Sequence, residues 1–226
     1  MKVAIHQPQY LSWPGYFNKI YQSDVFVFLD DVQYKKNDWI NRNRIRTSSG
    51  WQWITVPVEF KFKDLINEVR INNRVCWRRK HLQALKINYS RAPFFKDYIS
   101  FFEGVFSREW IYLSEFCIFL VEQICNILNI KKKFVLSSSL NIHTTGTQRL
   151  IDICRKLGAD TYISGQGAKN YLQKELFMEY NINLKFQEYK MPCYRQVYKG
   201  WVENLSIVDV LFCCGDDSLK IVKGDG

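Results

Sequence analysis

Val3-Ala4-Ile5-His6-Gln7-Pro8-Gln9-Tyr10 and Val25-Phe26-Val27-Phe28-Leu29-Asp30-Asp31 are the stretches whose reading decides the fold. Each is an apolar run that stops abruptly in polar groups. Runs with no polar alternation suit strands of a parallel sheet covered on both faces. Between them, residues 15–22 set Phe17, Ile20 and Tyr21 at helical spacing. Strand, helix, strand is a short βαβ unit, and it points to an α/β fold.

The pattern recurs further on. Residues 134–136 read as a strand ended by Ser137-Ser138-Ser139, and residues 145–157 as a helix stopped by Gly158. Thr145 and Thr147 compete as its cap. Residues 161–164 follow as a strand, then Gly165-Gln166-Gly167, and residues 184–186 as another strand. A last helix starts near residue 205 with Ser206 as its cap. In the middle, residues 42–47 and 51–58 pair as a hairpin, 65–71 form a short strand, and 77–89, 98–106 and 112–128 are helical. The expectation is a single α/β domain over residues 1–226. Its mainly parallel sheet is Rossmann-like (nucleotidyltransferase-like), and residues 72–130 form a helical insertion or cap. Residues 223–226 are expected to fray.

The composition limits the function classes. The chain has 226 residues, 47% hydrophobic and 24% charged, which fits a soluble globular protein. Its net charge of +10 favours anionic partners: phosphorylated metabolites, nucleotide-sugars, acidic carrier proteins or nucleic acid. Lys131-Lys132-Lys133 reads as a solvated helix end. Seven cysteines contain no CxxC pair, so zinc spacing is absent. No secretory signal precedes the first strand and no apolar run is long enough for a membrane span. The expected location is cytoplasmic.

In α/β sheets, ligands bind beyond the carboxyl ends of the strands. His6, Asp30-Asp31, Ser137 to Ser139 and Gly165 to Gly167 all fall at such ends, which argues for one shared site. His6 is the candidate general base, with His81 in reserve and Asp30 as a catalytic carboxylate. Gln7, Tyr10, Trp13, Tyr16 and Asp31 are candidate substrate contacts, and capping competes as a role for the Asp pair. Lys36, Asn37, Asn41, Arg42, Asn43 and Arg44 mix forked cations with amides that suit phosphates and hydroxyls. Ser164, Gly165 and Gly167 allow a ligand to approach the backbone, and Tyr194 and Gln196 are candidate hydrogen-bonding groups. No metal ligand set is assigned. The cofactor is unknown and Mg²⁺ stays open through the Asp pair. No nucleic-acid motif is visible, so nucleic acid is set aside as a partner.

These residues resemble the WbqC-like protein family. The likeness rests on His6-Gln7-Pro8-Gln9-Tyr10 with Trp13 and Gly15-Tyr16-Phe17, on residues 24–34, and on Asn41-Arg42-Asn43-Arg44-Ile45. It continues through Lys80-His81, Tyr89 with Ala92-Pro93-Phe94-Phe95, Tyr162-Ile163-Ser164-Gly165 and Leu205-Ser206-Ile207-Val208-Asp209. Ser12 departs from the Pro expected before Trp13 and touches no chemical group. A fainter likeness to the nucleotide-binding fold of class I synthetases and nucleotidyltransferases concerns the fold alone, because His6 and Gly15 are too far apart for their motif.

The resemblance implies a setting in bacterial surface-polysaccharide (O-antigen or capsule) gene clusters. The expectation is a transferase that modifies a nucleotide-linked amino sugar, by acyl or aminoacyl transfer to its amine. Its partners would be the nucleotide-linked sugar and an acyl or aminoacyl carrier protein. Two rivals stand beside it: ATP- and Mg²⁺-dependent adenylyl transfer or ligation, and a non-catalytic binding protein of a polysaccharide-assembly complex.

Overall fold

A computed structural model of the chain describes residues 1–225. Its centre is a five-stranded, all-parallel sheet: β1 (Lys2–His6), β2 (Val25–Phe28), β7 (Lys133–Leu136), β8 (Thr161–Ser164) and β9 (Asn183–Phe186), in the order β7-β2-β1-β8-β9. The apolar runs occupy its middle. All four residues of β2 are buried, as are Val3, Ala4 and Ile5 of β1.

Alternate residues of these strands face two different cores. Ala4, Phe26, Phe28 and Ile163 join one apolar cluster, while Val3, Ile5, Val25, Val27 and Tyr162 join another. The period of two does this, and continuous apolar runs are its consequence when both faces are covered. The first face is covered by α1 (Pro14–Gln22) and by elements from the middle of the chain; the second by α5 (Gly146–Lys156) and α6 (Lys174–Glu179). The fold is Rossmann-like.

Local chemistry sets the helix ends. Pro14 begins α1, where a missing N–H costs nothing. The Ser23 hydroxyl donates to the Ile20 carbonyl at its other end (2.9 Å). Gly158, at φ +70°, follows α5 in the left-handed conformation that ends helices. Thr145 stands at the N-cap of α5 without a side-chain bond, and the Thr147 hydroxyl instead accepts from the Gln173 N–H (3.3 Å).

Between β2 and β7 run a hairpin, β3 (Arg42–Thr47) with β4 (Gly50–Thr55), a small pair β5 (Val58–Glu59) and β6 (Arg70–Ile71), and helices α2 (Trp77–Tyr89), α3 (Phe95–Ser107) and α4 (Leu113–Ile127). The three helices fill the segment 72–130, and their apolar faces share one cluster with α1 and the sheet. α7 (Ile207–Cys214) and α8 (Ser218–Lys223) close that side. Ser206 caps α7, accepting from the Val208 N–H (3.3 Å).

Two expectations need correction, and two helices are additions. Residues 65–71 are not one strand: a 3-10 turn, Ile66–Glu68, precedes the two-residue β6. The tribasic run is not a helix end, because α4 stops at Ile127 and Lys133 already belongs to β7. The short helices α6 and α8 are not anticipated at all. Of the tail expected to fray, Lys223 ends α8 and Gly226 lies outside the described residues.

The strand order fixes where a ligand could enter. The chain steps from β1 to β2 to β7 in one direction, crosses back through α5 to β8, and continues to β9. The direction reverses between β1 and β8. Loops leaving those two strands part to opposite sides and leave a crevice beyond the strand ends.

Candidate active site

A cavity of about 250 Å³ lies at that switch point. His6, Trp13, Gly15, Tyr16 and Lys19 line one side, and Gly165, Gln166, Gly167, Gln187 and Tyr189 the other. β1 delivers His6 at its last position, β8 delivers the glycines just beyond Ser164, and Gln187 follows β9.

The His6 ring is locked in place. Its Nδ1 lies 3.1 Å from the Gln7 carbonyl, and its edge meets Tyr16 at 4.9 Å between ring centroids. A carbonyl only accepts, so Nδ1 carries the proton and the Nε2 lone pair is left for a ligand. Burial, with help from the nearby Lys19 charge, pushes the imidazole pKa down to about 3. The Tyr16 hydroxyl donates to the same Gln7 carbonyl (3.0 Å), so one peptide group orients both rings.

Lys19 stands four residues after Gly15 and so shares its face of α1. Only 3% of it is exposed, and it makes no hydrogen bond or ion pair among the described residues. Burial pushes its pKa down to about 7. No carboxylate lines the crevice among the described residues.

Gln187 braces the walls. Its side-chain amide donates to the Gly15 carbonyl (2.7 Å) and to Asn18 Oδ1 (2.6 Å), and its carbonyl accepts from Gln166 Nε2 (2.5 Å). The Trp13 indole lies so close over Gly15 that a Cβ there would fall 2.2 Å from the ring. Trp13 meets Tyr189 edge to face at 5.6 Å. A Cβ built on Gly165 would sit 3.8 Å from Lys19 Nζ, which places the lysine tip just across from the glycine loop.

The single strand-end site expected from the sequence divides in the structure. Asp30 and Asp31, just beyond the end of β2 and beside that of β7, are engaged within the protein. Asp30 accepts from the Ser137 hydroxyl (3.0 Å), the Ser138 N–H (3.0 Å) and the Ser138 hydroxyl (2.7 Å). Asp31 accepts from Ser137 and pairs with Arg149 at 2.6 Å. Neither carboxylate caps the segment that follows it; both are tied to the serine turn after β7 and to α5. A guanidinium already at Asp31 and serines around Asp30 do not fit a Mg²⁺ site, which needs carboxylate oxygens free to face a cation.

Other candidates also serve the scaffold. Tyr10 and His81 form a buried pair (2.8 Å). Burial takes the His81 pKa down to about 4, and neither residue lines the switch-point crevice. Asn43 donates to the Leu11 carbonyl (2.9 Å), which pins the loop after β1 to the hairpin, and Asn41 donates to the Val56 carbonyl (2.8 Å) across the hairpin's open end. Tyr194 (2.6 Å) and Gln196 (3.1 Å) donate to the buried Asp209, whose pKa is raised by burial.

Arg42 and Arg44 lie on one hairpin face among half-exposed indoles. Arg42 stacks 4.3 Å from Trp53, and Arg44 lies 5.0 Å from Trp51 and 5.6 Å from Trp39. Lys36 and Asn37 are exposed in the loop before them. Of the sequence candidates, then, His6, Trp13, Tyr16, Gly165 and Gly167 come together, with Gln7 contributing its carbonyl and buried Ser164 ending the strand that leads in. Lys19, Gln166, Gln187 and Tyr189 are additions that sequence reasoning missed.

The model of the WbqC-like protein family matches residues 7–221. The chain is also similar to Rv1507c, an uncharacterized protein of Mycobacterium tuberculosis. The two are 37% identical over 221 residues, which cover 96% of this chain and 95% of that protein. No solved structure matches the chain.

Proposed function

The chain belongs to the WbqC-like protein family, and on that footing we propose that it is a cytoplasmic transferase of bacterial surface-polysaccharide biosynthesis. It moves an acyl or aminoacyl group onto the amine of a nucleotide-linked sugar. The observation that carries this reading is the pairing, in one switch-point crevice, of a neutral imidazole with an open Nε2 and a glycine-lined wall.

The chemistry asks for little more. The sugar amine attacks the carbonyl carbon of the activated donor, the new C–N bond forms, and the donor's leaving group departs with its electron pair. His6 Nε2 accepts the hydrogen bond of the attacking amine and relays its proton to the departing group, which leaves protonated. Trp13 and Tyr189 offer ring surfaces to a sugar or base. The cavity of about 250 Å³ holds only the reacting part of such a substrate, so the remainder extends along the surface. The Arg–Trp face of the hairpin is the docking surface this reading gives to the acidic carrier of the donor.

Mass spectrometry of products decides the matter. The full chain is incubated with nucleotide-linked amino sugars and thioester donors. A product heavier by one acyl group, lost in His6→Gln, is the expected result. Full turnover in His6→Gln would sink the role of His6. Thermal stabilisation by ATP with Mg²⁺, and by no nucleotide-sugar, would favour adenylyl transfer instead.

A further inference from the structure

We propose that Lys19 is the anion anchor of the crevice, and that it holds the diphosphate of the ligand as an ammonium ion opposite the Gly165–Gly167 loop. The inference rests on the same site as the proposed transferase and names the part of the ligand that Lys19 binds.

A buried ammonium is tolerated when an anion or several acceptors surround it. Lys19 has neither. It is 3% exposed and makes no hydrogen bond or ion pair among the described residues, yet it lines an open cavity. Lysine usually lets its tip reach water from a buried stem. The tip here reaches solvent only by way of a crevice at the strand-order reversal, which is where α/β sheets take their ligands.

The surroundings select the kind of anion. Gly165 and Gly167 bring bare backbone to the cavity, and a Cβ at Gly167 would meet nothing within 4 Å. Bare backbone with room beside it admits a bulky tetrahedral group. A compact point charge with three donors suits phosphate oxygens. The titratable groups facing Lys19 are His6 from β1, Tyr16 from its own helix and Tyr189 from the strand-end segment after β9. His6 is neutral, and burial raises both phenols well above their ordinary range, so none supplies a countercharge near neutral pH.

Binding is therefore coupled to a proton. The empty site favours the neutral amine above about pH 7, whereas a bound diphosphate favours the ammonium. Above that pH the complex must take up a proton from solution.

Calorimetric titration of uridine diphosphate and adenosine diphosphate tests this. The full chain is titrated at pH 6 and pH 8.5, each in two buffers of different ionisation enthalpy. Both diphosphates are fully ionised at pH 8.5, so proton uptake there comes from the protein. The expected result is saturable binding of at least one of them, with close to one proton taken up at pH 8.5 and little at pH 6. Lys19→Met should weaken binding about tenfold or more while remaining folded. Lys19→Arg should bind without proton uptake, because arginine never releases its proton. Unchanged affinity in Lys19→Met, unchanged proton uptake in Lys19→Arg, or no binding of either diphosphate would overturn the anchor. Binding with the expected uptake, but no sugar product, would keep the anchor and defeat the transferase.

Discussion

Two neighbouring pairs of strand ends carry the same sequence signature and end up in opposite states. Beyond β2 and β7, Asp30, Asp31, Ser137, Ser138 and Arg149 are bonded or ion-paired with one another. Beyond β1 and β8, His6 keeps an open nitrogen and Lys19 has no partner among the described residues. Polar groups at strand ends are thus not evidence of a site in themselves. A closed polar cluster stabilises the fold, and an open one is held by the fold at a cost that a ligand can offset.

The sharpest way to break this comparison is to open the closed end. Asp31→Ala leaves Arg149, whose side chain is 10% exposed, as an unpaired buried cation. Chemical denaturation should show a loss of about 3 to 5 kcal/mol. A loss below about 1 kcal/mol would mean that the two ends do not differ.

Closing the open end should act with the opposite sign. Lys19→Met removes a buried, unpaired ammonium and should raise stability at pH 7 by about 2 kcal/mol or more. The pH dependence gives a second check. Lys19 has a folded-state pKa of about 7 against an ordinary 10.5, so the unfolded chain binds more protons between those values. Wild type should become more stable as pH rises through that window, and the rise should be absent in Lys19→Met. Parallel pH profiles would contradict the burial of an unpaired charge.

Gly15→Ala tests the wall of the crevice. Its Cβ collides with the Trp13 indole, so a loss of about 1 to 3 kcal/mol in urea denaturation is expected, with altered Trp13 fluorescence. The smallest contrast lies within one serine run. Ser138→Ala removes a hydroxyl bonded to Asp30 and should lose about 1 kcal/mol, while Ser139→Ala, which removes an exposed hydroxyl bonded to the Leu136 carbonyl, should stay within about 0.5 kcal/mol.

Most of the frame was legible because it depends on local pattern. Continuous apolar runs marked β1 and β2, α2 was readable over residues 77–89, and Ser206 and Gly158 marked ends that the structure keeps. The six-residue helices α6 and α8 were not, since fewer than two turns give no period to read. The site was half legible. His6 and Gly165 declare themselves by position at strand ends. Lys19 does not, because a lysine within a helix is nearly always on its outer face. Its one signal was the four-residue step from Gly15, which puts both on the side turned to the sheet. Asp30 and Asp31 misled for the reverse reason: their partners Ser137, Ser138 and Arg149 lie more than a hundred residues away, and no local pattern reveals such satisfaction.

The place of β1 in the sheet also sets an order of events during synthesis. Of the five strands it leaves the ribosome first, yet it is flanked by β2 on one side and by β8, from Thr161, on the other. At about 5 to 20 residues per second, one edge of β1 stays unpaired for on the order of ten seconds. During that interval β1 and β2 form an apolar two-stranded fragment with a template edge, open to wrong partners. The crevice appears only when Gln187 has emerged to tie β9 to α1. A chain truncated before that residue should therefore collect as aggregate, and no partly built site should precede the finished sheet.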